Sequence, residues 1–133
     1  MEKEDGFTVI ELIIFFVILV VLGAFFWIQK VDLESSFDDQ LRKTAINSIY
    51  YNLTEVYHPE NGYYPSEIDS EKLKAIDPDL FIDPYGYTFG ETDSDYSYEG
   101  LNCDNLGRCQ DFRLTSLMEK EATYTRTATE ETE

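Results

Sequence analysis

The chain has little of what catalytic and metal-binding proteins use. One histidine, His58, and two cysteines, Cys103 and Cys109, stand among 133 residues. That is too few for a structural zinc site of the usual four-ligand kind. No glycine-rich phosphate loop is present, and no serine or cysteine stands in a recognisable nucleophile motif, so the chain is not expected to be an enzyme. Basic residues are scarce as well. Against 27 Asp and Glu there are 10 Lys and Arg, a formal net charge of −17. An acidic surface of that size repels phosphate backbones, so direct nucleic-acid binding is not expected. Proline is absent before Pro59, which leaves a long stretch free of that helix breaker.

Charge is also absent from residues 12–28, a run of 17 residues. As a helix this run is about 26 Å long, at about 1.5 Å per residue. Counted back to Phe7 it reaches about 33 Å, enough to cross a hydrocarbon core of about 30 Å. Residues 7–28 are therefore expected to form a transmembrane helix. Glu11 is the oddity, roughly 6 Å along the axis from Phe7. An ionised carboxylate in such a helix costs about 2.5–3.5 kcal/mol on insertion scales. A simple anchor would carry leucine there, so the carboxylate is expected to meet a partner after insertion. A secretory signal peptide fits less well, because its apolar region is usually shorter and its leader basic. A plain single-pass anchor accounts for the run but not for Gly6, Phe7 and Glu11 in this register.

The heptapeptide Gly6-Phe7-Thr8-Val9-Ile10-Glu11-Leu12 resembles the processing site of type IV pilins and of the related pseudopilins of type II secretion. The resemblance implies cleavage between Gly6 and Phe7 by a prepilin peptidase at the cytoplasmic side, then N-methylation of Phe7. It also implies a precursor held in the cytoplasmic membrane with its head outside, later moved by an assembly platform into an extracellular pilus. There the subunit would be a homo-oligomer or a co-polymer with other pilins. Glu11 would neutralise the amine of a neighbour's Phe7, two charges each costly alone and tolerable as a pair. The function expected is that of a structural pilus subunit. The alternative is a pseudopilin of a type II secretion or competence system. From a different class, the alternative is a single-pass membrane-anchored binding domain. The leader, residues 1–6, departs from the family, which favours basic leaders: Lys3 stands against Glu2, Glu4 and Asp5.

After Trp27, placed like an interfacial aromatic, and Lys30 the pattern turns amphipathic. Phe37, Leu41, Ala45, Ile49 and Leu53 recur every four residues, extended by Val56 and Tyr57 and widened by Ile46 and Tyr50. Asp32, Glu34, Asp38, Asp39, Arg42, Lys43 and Asn47 fall on other faces. This predicts one helix over residues 7–57, its part over 29–58 carrying the head, stopped by His58-Pro59. Gly23 is the one weak helix former in the apolar part, a place for local melting or for close helix packing.

Residues 59–118 are expected to be an αβ-loop and a small antiparallel sheet, which with the long helix makes an α+β class. The resemblance makes this the type IV pilin fold. Asn61-Gly62 and Asp83-Pro84-Tyr85-Gly86 signal turns. Residues 70–76 suggest a short helix capped by Asp69 or Ser70. Strands are expected around 87–89, 96–98 and 111–117, the last from alternation of Phe112, Leu114 and Ser116 with Arg113 and Thr115. The ten tyrosines all lie between residues 50 and 124 and are expected to pack rather than bind. Residues 119–133, rich in Thr and Glu, are expected to be disordered.

Pilins of this family often close a C-terminal loop with a disulfide, and the resemblance implies a Cys103–Cys109 bridge outside the cytoplasm. Closing that loop is worth about 2.4 kcal/mol in the chain-entropy picture; reduced, buried thiols are the alternative. Glu91, Asp93 and Asp95 form the one acidic cluster with alternating oxygen ligands that suits calcium, and some pseudopilins bind calcium in a nearby loop. Their spacing lacks a full loop pattern, so a solvated acidic turn is favoured and no cofactor or metal is expected.

Overall fold

The computed structural model describes residues 8–73 and 75–129. The chain divides into two compact units, Met1–Ser35 and Ser36–Glu133. Helix α1 (Val9–Tyr51) begins in the first unit. Helical backbone continues in wider π-helical turns over Asn52–Tyr57 and ends in α2 (His58–Asn61). In the first unit the helix is exposed on every side and is long and apolar enough to cross a membrane. It runs unbroken through Gly23.

Pro59 does not stop the helix, contrary to the expectation that His58-Pro59 ends it. A proline inside an α-helix crowds the carbonyl four residues back and offers no N–H. The π-helical spacing over Asn52–Tyr57 changes which carbonyls stand behind it. Pro59 itself falls in the first turn of α2, where its missing N–H has no helical duty. The stop is Gly62, whose positive φ of 76° suits glycine and whose N–H donates to the His58 carbonyl at 2.7 Å.

The second unit is a helix laid on a four-stranded antiparallel sheet. Strand β3 (Arg108–Ser116) pairs along one edge with β2 (Tyr96–Cys103). Its other edge is shared by two short strands, β1 (Tyr64–Pro65) at one end and β4 (Tyr124–Thr127) at the other. Phe112, Leu114 and Ser116 point inward and Arg113 outward, as the alternation predicts. They meet Ala45, Ile46, Ile49 and Leu53 of the helix, with Tyr64, Leu73, Phe81 and Tyr96 completing the core. A small head that could bury little alone is stabilised in this way, because helix and sheet each supply an apolar face to the other.

The buried stripe of the helix is rotated from the one expected. Its centre, Ala45 to Leu53, is right, but Phe37 and Leu41 are exposed while Asp39, Arg42 and Asn52 are buried. The face inward is thus 42, 45, 46, 49, 52 and 53, a regular three-four spacing that admits polar residues.

Other elements also differ. Of the helix expected over residues 70–76, the described residues 70–73, 75 and 76 are turns and bends rather than helix: the Asp69 carboxylate accepts the Glu71 and Lys72 N–H groups, and Leu73 N–H donates to the Asp69 carbonyl. Buried Leu73 then pins the segment as a loop. A short 3₁₀ helix, Pro78–Phe81, follows, capped by Asp77. Around 87–89 only an isolated bridge between Ile82 and Thr88 forms. Gly86 and Gly90, with φ of 90° and 87°, turn the backbone on both sides and leave no room for a strand. The expected disorder of residues 119–133 does not hold for 119–129. Tyr124–Thr127 is β4, and the Asp111 carboxylate accepts the Ala128 N–H at 3.1 Å and the Thr129 hydroxyl at 2.7 Å. Polar contacts tie this segment down where apolar content is low.

Candidate assembly site

Glu11 stands in the first turn of α1. Its Oε2 accepts the Thr8 backbone N–H at 2.8 Å and the Thr8 hydroxyl at 3.0 Å, and Leu12 N–H donates to the Thr8 carbonyl at 3.2 Å. This is half of a capping box: the third helical residue reaches back to the N–H of the capping threonine. Within one chain the carboxylate therefore already has donors, where the sequence suggested that it waits for a partner. Gly6 and Phe7, the expected processing residues, lie outside the described residues.

Behind Glu11 every large apolar side chain from Val9 to Ile28 is exposed. A Cβ placed on Gly23 meets nothing within 4 Å, so the backbone is open there to another helix. A side of this kind, apolar all round, belongs in lipid or against other apolar helices.

In the second unit the sequence missed a buried charge cluster. Arg42 is fully buried. It donates to Asp39 at 3.0 Å, to Asp95 at 3.0 and 2.8 Å, and to Glu119 at 3.2 Å. Its guanidinium also lies 5.3 Å from the centre of the Tyr85 ring, close enough for a cation–π contact. Burial works against its charge, but the Asp95 carboxylate, and then Glu119, outweigh burial and hold it protonated. Asp39 in turn accepts the backbone N–H groups of Glu119 and Lys120, both at 2.9 Å. Burial raises its pKa, but those two N–H groups and Arg42 pull it net below the ordinary aspartate range. Asp83, also buried, accepts the N–H groups of Tyr85, Tyr87 and Asp95 and shapes the turn that presents Asp95. The signal in the sequence was Asp39-x-x-Arg42, an ion-pair spacing beside an apolar stripe; its other partners lie more than fifty positions away.

Of the calcium candidates, Asp95 is taken by Arg42, Glu91 accepts the Thr88 N–H at 2.9 Å, and Asp93 is exposed. Among the described residues no group of three or more His, Cys, Asp or Glu could hold a metal ion. Cys103 and Cys109 are joined by a disulfide, which closes the β2–β3 hairpin. His58 stacks on Tyr64 with ring centres 4.6 Å apart. Comparison with known protein families, curated proteins and solved structures finds no match to this chain.

Proposed function

We propose that this protein is the structural subunit of a type IV pilus, processed after Gly6 and polymerised through its N-terminal helix. The observation that carries the reading is Glu11: one carboxylate in the first turn of a helix whose part from Val9 to Ile28 is exposed and carries no other charge, in register with Gly6 and Phe7. A plain anchor gains only the helix cap from that group. In a filament the helix would bury its apolar sides against other copies, and Glu11 would exchange its Thr8 donors for the amine of a neighbour's Phe7. A pseudopilin of a secretion or competence machine would use the same contacts.

The test separates capping from charge. Glutamine also completes a capping box, so Glu11→Gln keeps the helix start and removes the ionic partner. In cells with an active prepilin peptidase, Glu11→Gln is expected to accumulate in the membrane at normal level, cut after Gly6, and to be missing from sheared filaments. A wild-type chain that keeps Met1 and never leaves the membrane overturns the reading in favour of a membrane-anchored binding domain, and filament incorporation of Glu11→Gln equal to wild type overturns the ionic role of Glu11.

A further inference from the structure

The residues that end the helix of the second unit also form a reactive pair. A helix end leaves its last carbonyls without N–H partners. Here the Asn61 side-chain amide donates to the Tyr57 carbonyl at 2.8 Å, and the Gly62 N–H donates to the His58 carbonyl at 2.7 Å. Gly62 makes the left-handed turn that stops the helix, with a φ of 76°, a conformation that suits a residue without a Cβ. Termination is therefore built from a short side-chain amide followed by an unhindered backbone nitrogen. Such a nitrogen can attack such an amide.

In that reaction the Gly62 nitrogen loses its proton and bonds to the Asn61 Cγ. The Cγ–Nδ2 bond breaks, and the amide nitrogen leaves with that proton as ammonia. Water then opens the cyclic imide, at Cγ to give aspartate or at the main-chain carbonyl carbon to give isoaspartate. Water is the only co-reactant. Both residues are exposed, and a Cβ placed on Gly62 meets nothing within 4 Å, so water reaches the pair. Asn61-Gly62 is the one Asn-Gly pair in the chain. Asn102 and Asn105 are exposed too, but the side chains of Cys103 and Leu106 crowd the nitrogens that follow them.

The folded helix end holds the reacting groups apart. Deprotonating the Gly62 nitrogen sacrifices its bond to the His58 carbonyl. The Tyr57 carbonyl stands four positions back along the chain, so the amide it holds is drawn away from the nitrogen that follows. This end is braced in turn. The Tyr57 ring meets Tyr63 edge-on with centres 6.0 Å apart, and His58 stacks on Tyr64 at 4.6 Å. Tyr64 is buried and paired with Cys109 of β3.

We propose that Asn61-Gly62 is a self-modification site gated by the helix end: the pair converts to aspartate or isoaspartate when that end frays, and the change is one-way. Neither product restores the cap. Aspartate has no N–H for the Tyr57 carbonyl and sets a negative charge at a helix C-terminus, where the dipole disfavours it. Isoaspartate routes the main chain through an extra carbon just before Gly62. The proposal goes beyond filament assembly and does not depend on it, since every residue it uses lies within the second unit.

The test incubates the full chain in detergent, at mildly alkaline pH in oxygen-18 water, folded and in urea, and locates the incorporated label by peptide mapping. In urea the label is expected at residue 61 first. The folded chain is expected to gain it there about ten- to a hundredfold more slowly, the effect of two neutral hydrogen bonds. Tyr63→Ala removes the ring that braces Tyr57. Folded, it is expected to react about two- to tenfold faster than wild type, the worth of one aromatic contact; in urea the two are expected to match. Asn61→Asp imitates one product, and its Gly62 amide is expected to exchange hydrogen about three- to tenfold faster than in wild type. Equal rates folded and in urea, label gained first at Asn102 or Asn105, or a Gly62 amide as protected in Asn61→Asp as in wild type overturns the proposal. None of these outcomes touches the assembly reading, which is tested at Glu11.

Discussion

Replacing Arg42 by methionine removes the guanidinium that three carboxylates share while keeping much of its apolar stem. The volume change is modest, so the loss is mainly electrostatic. Breaking a buried pair by deleting one partner costs about 3–5 kcal/mol, because the other charge is stranded. Asp39, 3% exposed, is the stranded group; the side chains of Asp95 and Glu119 are 18% and 30% exposed and regain water more easily. Asp39 keeps its two backbone N–H donors, which places the expected loss at the low end, about 3 kcal/mol. A domain of roughly a hundred residues loses about 4–8 °C of melting temperature per kcal/mol, so Arg42→Met is expected to melt about 12–24 °C below wild type. The assay is thermal unfolding of the detergent-solubilised chain followed by near-ultraviolet circular dichroism of the tyrosines. Asp39→Asn combined with Arg42→Met removes the stranded charge too, so the pair is expected to cost less than the sum of the single losses. A loss below about 1 kcal/mol for Arg42→Met, the level of an exposed ion pair, refutes the claim that this cluster holds the head together.

Three further outcomes follow from the same structure. Asp39 and Asp111 are held below the ordinary aspartate pKa of 3.8, in each case against the opposing effect of burial; Glu119 and Lys120 N–H groups do this for Asp39, Thr129 and neighbouring N–H groups for Asp111. A depressed folded pKa adds stability above the unfolded value and loses it as pH falls through the folded one. The urea midpoint is therefore expected to fall steeply below about pH 4; an unchanged midpoint at pH 3 would contradict it. Burial, and then the charge of Asp83, push Tyr96 up to about 12, so its neutral form contributes stability that is lost as pH rises from about 10. Spectrophotometric titration should find tyrosines that ionise only as the head unfolds, and full reversible ionisation in a folded head would contradict this. Gly100→Ala would place a Cβ 2.6 Å from the Cys109 sulfur and 3.1 Å from the Ser66 Cα, an overpacking worth about 1–3 kcal/mol; thermal melts of the oxidised protein measure it.

What the sequence disclosed and what it hid divide along physical lines. The apolar helix was legible because a charge-free run needs no tertiary information. The strand at Phe112 and Leu114 was legible because alternation is a local signal. Thr8-x-x-Glu11 is equally a local signal, the spacing of a capping box, and it gives Glu11 donors within its own chain. The π-helical passage over Asn52–Tyr57 was not legible, because proline rules describe an α-helix of regular pitch and say nothing of a widened turn before it. The burial of Arg42 was hidden because its partners Asp95 and Glu119 are brought in by loops and lie far along the chain. The order of the C-terminal segment was hidden for a similar reason. Composition counts apolar residues, whereas Tyr124–Thr127 is held by a ladder to β3, by the Tyr124 hydroxyl on Asn47 at 3.0 Å and by Arg126 stacked 4.0 Å over Tyr50.

The bond between Asp39 and the backbone of Glu119 spans 80 positions of the chain, and that span acts as a check on length. A ribosome releases the helix before the closing segment. Until Glu119 and Lys120 emerge, Asp39 lacks two of its donors, and the last stretch of β3 has no β4 beside it. A copy cut short by a premature stop or a protease would expose these defects at once, at a distance from the break. Such a copy would be open to clearance by cellular proteases, whereas a chain that extends through Thr127 closes the same place with Glu119, Lys120 and β4.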